Sequence, residues 1–385
     1  MKRTTPTFGF IAVLFFMTGC DSGVEATSTE MTSLGKMEYV EGMERTAQAN
    51  RFYQTTTIRA VGDILIHDRV YDDARIEDGF DFTPMLEDVA PYLQEADVTI
   101  ANQETMIGGE EIGLSGYPAF NSPFEVGDAL KEAGVDVVTL ANNHTLDRGP
   151  QSIMNALQYW DELDMVYTGS FRDEEDASEL RIVESEGISI AVLSYTYGTN
   201  GIPVPDGRDY LVNLADPSLM ATQIADASEK ADAVLVALHA GDEYVDYPNQ
   251  QQRDWVQIAA DNGATAVIGH HPHVLQPAEW IEGKHEHEML VVYSLGNFLS
   301  GQYDHPRRVG GIFHFELEVV EGEKARAVNP ALLPTYVQFE EGDRNYRVTP
   351  MKDLTDRELP DVNTHLEDVE AHMSQWLPEL DVMTE

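Results

Sequence analysis

The chain has 385 residues, 42% of them hydrophobic, enough for a sizeable core and against wholesale disorder. Its 24 lysines and arginines face 68 aspartates and glutamates, a formal net charge of -44, which leaves no basic footprint for a phosphate backbone and argues for no nucleic-acid partner. A single cysteine rules out an intrachain disulfide, and so acidic a surface suits high salt, where self-repulsion is screened.

Lys2 and Arg3 precede an apolar run from Phe8 to Met17, followed by Thr18, Gly19 and Cys20. This is a charged n-region, an h-region of signal-peptide length and small residues before a cleavage point. The run is shorter than the ~20 residues that span a bilayer. Residues 1–20 resemble a bacterial lipoprotein signal, with Cys20 as the lipid-bearing residue and Met17 where such signals usually have leucine. An ordinary cleaved signal is the alternative. Either reading exports the mature protein, and the first anchors it by lipid to the extracellular face of the cell membrane. Residues 21–54, rich in Ser, Thr, Glu and Gly, read as a flexible tether.

From Thr57 the pattern changes. Strands are expected at Ile58–Val61, Ala96–Ile100, Val135–Leu140, Asp232–Leu238, Ala264–Ile268 and Leu290–Tyr293. Helices are expected at Pro150–Leu163, Ser218–Lys230 and Asn249–Asn262. Their alternation argues for an α/β fold with a largely parallel core, spanning residues 55–320. Gly311–Val320 alternates as a further strand, and residues 321–385 read as a C-terminal extension with a Pro-broken strand and an acidic helical tail. There is no repeat, no phosphate-binding glycine loop and no Gly-x-Ser-x-Gly elbow.

Every one of the first six strands runs into polar residues, at the carboxyl ends where open α/β sheets bind ligands. Asp63 follows the first, Glu104 the second, Asn143 and His144 the third, and His239 the fourth. The fifth delivers His270, His271, Pro272 and His273, and the sixth reaches Asn297. Pro272 disfavours helix before it, so 271–273 is expected to be extended. His271 and His273 would then face one point and His270 the other side. Asp63, Glu104, Asn143, His239, His271 and His273 offer carboxylate, amide and imidazole donors. That mixture describes a two-metal hydrolytic site better than a structural zinc site, which favours thiolates. Two ions ~3.5–4 Å apart can bind substrate, lower the pKa of a bridging water and steady the leaving oxygen.

Taken in order, Gly62-Asp63, Asn102-x-Glu104, Ala141-Asn142-Asn143-His144-x-x-Asp147-x-Gly149, His239-Ala240-Gly241-x-Glu243-Tyr244, Gly269-His270-His271-Pro272-His273 and Ser294-Leu295-Gly296-Asn297-Phe298 resemble the bacterial CapA family. This is the capsule-synthesis, poly-γ-glutamate-associated group of calcineurin-like metallophosphoesterases. The resemblance implies a four-layer α/β/β/α sandwich of the metallo-dependent phosphatase type. It also implies two divalent metal ions (Mn, Fe, Zn or Mg) and a role in poly-γ-glutamate capsule assembly, anchoring, release or trimming. Fold alone does not settle the reaction.

By the same resemblance, Asp63 matches the first-motif aspartate, and Glu104 stands where metallophosphoesterases have a bridging aspartate. Asn143 would give its amide oxygen to metal and His144 would be the general acid. His239, His271 and His273 complete the ligands. The usual first motif separates Asp and His by one residue, whereas His67 follows Asp63 by four; on a helix it would still reach the site, and otherwise it is a surface or supporting residue. Asp147 either orients Asn143 or His144 or caps the next helix. Asn102, Glu243, His270 and Asn297 are further candidates to support or line the metals. Arg307 and Arg308, a basic pair in an acidic chain, are suited to clamp carboxylate or phosphate, or are solvated loop residues.

Three functions remain open at this point. One is a metal-dependent hydrolase acting on an anionic polymer or phosphate ester. The second is a non-catalytic surface lipoprotein binding capsule polymer or the membrane capsule-synthesis complex. The third is a γ-glutamyl amide hydrolase or transferase on the same scaffold.

Overall fold

The computed structural model describes residues 53–385 except 285, 286 and 321. The expected signal with Cys20, and the expected tether up to residue 52, lie outside the described residues. Among the described residues no helix is long and apolar enough to cross a membrane.

Two sheets carry the site. In chain order the first half contributes β1 (Tyr53–Leu65), α1 (Asp68–Asp73), β2 (Val98–Gln103), α2 (Glu125–Ala133), β3 (Val137–Thr139), α3 (Gly149–Glu162) and β4 (Val166–Thr168). The second half opens with β5 (Ile182–Ser185), β6 (Ile188–Thr196), α4 (Pro217–Lys230), β7 (Ala233–His239), α5 (Gln250–Asp261) and β8 (Ala266–His270). It continues with β9 (Leu275–Glu282), β10 (Glu288–Leu295), β11 (Asn297–Ser300), α6 (His305–Arg308) and β12 (Val309–Val320). Residues beyond 320 add β13 (Arg326–Glu340), β14 (Arg344–Pro350), α7 (Val362–Met373) and β15 (Asp381–Val382).

The larger sheet runs β14-β13-β12-β1-β2-β3-β4, with β11 paired to β1 and β15 to β13. The smaller runs β9-β10-β8-β7-β6-β5. Both are mixed rather than largely parallel. β1 to β4 and β6, β7, β8 and β10 are parallel, whereas β12, β13, β14, β5 and β9 pair antiparallel along the flanks. The expected parallel core is the centre of each sheet, and hairpins widen it.

Three hydrophobic clusters define the layers. One joins the facing sheets, with Ile58, Ile100 and Val137 of the larger against Ile190, Leu235 and Ile268 of the smaller. A second joins the outer face of the larger sheet to α2 and α3 through Val61, Ala101, Val138, Leu130, Leu157 and Trp160. The third joins the smaller sheet to α4 and α5 through Val234, Val236, Val267, Ile224, Trp255 and Val256. Helix on sheet on sheet on helix is the α/β/β/α sandwich. Because central strands are covered on both faces, β2 and β7 are buried at every residue, and β7 reads as a continuous apolar run up to His239.

Local signals set the helix starts. Asn249 and Gln252 close a capping box at α5. Asp216 accepts from the Ser218 and Leu219 backbone before Pro217 opens α4. In β8, Gly269 is required by close approach, since a Cβ there would lie 1.9 Å from the Tyr293 carbonyl oxygen.

Candidate metal centre

Register brings the strand ends together. Asp63 of β1 lies opposite Asn102 of β2 on one side and Asn297 of β11 on the other. In the facing sheet His270 of β8 lies opposite His239 of β7, and His239 opposite Thr196 of β6. The carboxyl ends of both sheets thus deliver their polar residues to one buried point.

Asp63 is fully buried and serves as the hub. Its Oδ1 accepts from Asn102 Nδ2 at 2.8 Å, and its Oδ2 accepts from the His271 backbone at 3.2 Å. His270 Nδ1 lies 3.4 Å from Oδ1 and His273 Nδ1 3.2 Å from Oδ2. Burial alone would raise its pKa, but the hydrogen bonds and charge of His270 and His273 outweigh this and hold the carboxyl well below its ordinary range.

Glu104 is the opposite case. Its side chain is fully buried, and neither carboxylate oxygen has a hydrogen-bond partner. Around Oε1 stand His239 Nε2 at 3.7 Å, His273 Nε2 at 3.8 Å and His144 Nε2 at 4.0 Å. Such spacings are too long for hydrogen bonds. They suit atoms sharing an ion, because two donors each ~2.1 Å from one metal lie roughly 3–4 Å apart. Burial pushes the Glu104 carboxyl well above its usual range. A buried anion of this kind calls for a cation.

The imidazoles are prepared for one. Burial pushes His271 down to about 3 and His239 well below its ordinary value, so both are neutral donors. Burial acts the same way on His273, but Glu104 and Asp63 overcome it and raise its pKa to about 9. A proton on His273 therefore answers the ionised Asp63 carboxylate beside it in the metal-free site. His273 Nδ1 also sits 3.0 Å from Asn297 Oδ1, so two oxygens hold that edge and Nε2 is left facing Glu104. His239 Nε2 lies 2.9 Å from Asn143 Oδ1, a spacing that suits neighbouring ligands. Glu104, His271 and His273 place one donor each within 4.8 Å of one another. The donor set fits divalent metal.

Beside it, His144 Nδ1 lies 2.7 Å from Asp147 Oδ2. A carboxylate only accepts, so Nδ1 carries the proton and Nε2 points toward Glu104. Asp147 is itself fixed by the Phe120 backbone N–H at 2.8 Å, and the Phe120 ring meets His144 edge-on at 4.7 Å. Of the two readings of Asp147, orienting His144 is the one this geometry supports.

Two expectations are corrected, for His270 and Arg308, and the supporting role is the one the structure gives His67 and Asn102. His270 faces the same point as its neighbours, because the chain is not extended: His271 and His273 have φ of 98° and 58°. This left-handed turn sets the His270 and His273 imidazoles and the His271 backbone N–H on Asp63. His67 caps α1 rather than lying within it, and its Nδ1 meets the Leu65 carbonyl at 3.0 Å and the Gly301 N–H at 3.1 Å, inside the loop packing. Asn102 spends its amide oxygen on Thr139 and its nitrogen on Asp63, so it is a brace. Arg308 turns away: its Nε donates to the Val337 carbonyl and its guanidinium stacks at 4.3 Å on Tyr336 and on Phe339. Arg307 instead lies 3.6 Å over the Tyr244 ring, whose centroid is 6.0 Å from that of His273. Glu243 is exposed beside Tyr244, near enough for its charge to raise the pKa of Glu104 and His273.

Sequence reading missed the loop after β6. Tyr197 lays its ring on His271, centroids 4.6 Å apart, and Asn200 accepts from Asn143 Nδ2 at 3.3 Å. The signal was present as a seventh polar strand end, Tyr197-Gly198-Thr199-Asn200.

A family model described as bacterial capsule synthesis protein PGA_cap matches residues 57–302. The chain is 28% identical over 265 residues to the capsule biosynthesis protein CapA of Bacillus anthracis, covering 66% of this chain and 62% of that one. It is 33% identical over 175 residues to the PGA biosynthesis protein CapA of Bacillus subtilis (strain 168), covering 45% and 44% respectively. The matched stretches therefore span less than two thirds of either relative. An NAD nucleotidase structure from Haemophilus influenzae aligns with 86% of this chain and 58% of its own at 10% identity, with a TM-score of 0.46.

Proposed function

The chain belongs to the bacterial capsule synthesis protein PGA_cap family, and from that premise we propose that it is a metal-dependent hydrolase of capsule biosynthesis or processing, acting on an anionic polymer or phosphate ester. The observation that carries this reading is Glu104, a buried carboxylate with imidazole nitrogens 3.7–4.0 Å from one unpartnered oxygen. Asn143 with His239, and His271 and His273 with Glu104, bring their donors close together. Asp63 completes a set for two divalent ions. Bound there, the metals would supply Lewis acidity and a water of lowered pKa.

The chain's own residues do the rest. Asp147 holds His144 in the tautomer whose Nε2 faces the centre, where it delivers a proton to the leaving oxygen. Arg307, held on Tyr244 at the edge of the centre, receives a carboxylate or phosphate of the substrate. Among the described residues its carboxylate partner is Asp304 at 3.2 Å, which is two-thirds exposed and competes weakly. Such a local cation answers the repulsion between an anionic polymer and a chain of net charge -44.

The test is hydrolysis of a phosphodiester and of γ-linked polyglutamate by the metal-loaded protein. Arg307→Ala is expected to raise KM for the charged polymer about tenfold, the loss of one charged hydrogen bond, with metal content unchanged. Arg308→Ala should leave KM alone and lower the melting temperature. Turnover of neither substrate would remove the hydrolase reading.

We also propose export and anchoring by a lipid on Cys20, with the capsule-synthesis machinery of the membrane as a partner. Cys20→Ala should move the protein from the membrane fraction to the medium, and equal association of both forms after a salt wash would refute the anchor.

A further inference from the structure

The loop after β6 touches more of the centre than any brace requires. Backbone contacts fix its root: Tyr197 N–H donates to the His239 carbonyl at 3.0 Å, and Thr199 Oγ1 donates to the Ile202 carbonyl at 2.5 Å. Asn200, with φ of 51°, and Gly201, with φ of 79°, turn the chain back on itself. The result hangs two side chains over the centre from the smaller sheet, opposite the Asn143–His144 pair of the larger.

Tyr197 rests its ring on His271, yet 38% of the residue is exposed. Its hydroxyl reaches Asn200 Oδ1 at 3.4 Å and hydrogen-bonds the Asn143 side chain. The bond to Asn200 is long, and the amide oxygen of Asn143 is already engaged with His239 at 2.9 Å. A phenol that merely braced Asn143 would be expected to be buried and closely bonded. This one stands at the open edge, its donor weakly engaged, beside a proposed metal ligand.

We propose that Tyr197 contacts the substrate directly, donating its hydroxyl hydrogen to an anionic oxygen of the group bound at the metals, a phosphoryl or carboxylate oxygen. The inference rests on the hydrolase reading above. Three features adapt Tyr197 to the role. The ring is immobilised on His271, so little rotamer entropy is lost on binding. A phenol hydroxyl can donate without bringing a charge of its own to the centre. The oxygen it faces is charged, and hydrogen bonds to charged groups are the stronger kind. Asn200, which accepts from Tyr197 and from Asn143, aims the hydroxyl rather than touching substrate.

The experiment is binding of inorganic phosphate to manganese-loaded wild type and Tyr197→Phe, followed by calorimetry, with manganese counted in both. Tyr197→Phe keeps the ring on His271 and removes only the donor. Phosphate affinity is expected to fall about ten- to a hundredfold, in line with a lost charged hydrogen bond, at equal manganese content. Affinity within a factor of two would overturn the proposal while leaving the hydrolase reading intact. Loss of manganese from the variant would also overturn it, showing Tyr197 to be a positioning residue acting through Asn143. If wild type binds manganese but no phosphate, the hydrolase reading falls and the contact with it.

Discussion

His144→Ala is expected to lower turnover by about 10²–10⁴-fold, the contribution of a positioned proton donor, while leaving the metal content of the protein unchanged. The reason is geometric. His144 Nδ1 is committed to Asp147 at 2.7 Å, and its Nε2 stands 4.0 Å from Glu104 Oε1, the longest of the three imidazole approaches to that oxygen. It faces the centre from where a leaving group departs. Asp147→Asn should act in the same direction but less severely, because the Phe120 N–H keeps a partner while the imidazolium loses its counter-charge. The comparison needs a substrate whose leaving group requires protonation. With an activated ester the defect should shrink. If His144→Ala strips metal instead, the residue is a ligand and the assignment of the acid is wrong.

The second large effect concerns Glu104, and it has opposite signs with and without metal. In the metal-free site burial raises the carboxyl pKa well above its ordinary 4.5. Between 4.5 and that raised value the folded protein keeps a proton that the unfolded chain has released. Stability of the metal-free protein therefore falls as pH rises through that window. Glu104→Gln removes the buried acid. After chelation the variant should melt several degrees above wild type at neutral pH and above, and the difference should close as the pH falls toward 4.5. With metal restored the order should reverse. Ligand at 100 times its Kd stabilises a fold by ~2.7 kcal/mol, and the variant should lose that gain. Equal melting temperatures for the two chelated proteins at all pH values would show that Glu104 is not strained in the metal-free fold.

Much of this was legible in sequence because buried parallel strands announce themselves as apolar runs and break at polar residues. Asp63, Glu104, Asn143, His239, His271 and His273 do converge in the structure. Their convergence, however, does not follow the route that spacing suggested. His271 and His273 meet through left-handed backbone, which proline rules do not foresee, and the same turn brings in His270. Arg307 and Arg308 look equivalent as neighbours in a row. Successive residues of a helical turn point ~100° apart, so one lies over Tyr244 and the other against Tyr336 and Phe339. Asn297 reads as a candidate to line the metals, but its hold on His273 is a contact between residues 24 apart in the chain that spacing does not show. Tyr197 escaped notice for a different reason. Its strand, Ile188–Thr196, is not among those expected, and a tyrosine at its end is not a metal ligand, so only its place over His271 gives it meaning.

The account stands or falls on whether the buried carboxylate and imidazoles hold divalent metal. The most direct measurement is elemental analysis of the protein purified without chelator, set beside Glu104→Gln and His273→Ala prepared identically. Wild type should carry two divalent transition-metal ions per chain, and both variants should lose most of them. A wild-type protein that remains metal-free after incubation with manganese, iron and zinc, or variants that keep the wild-type content, would contradict it.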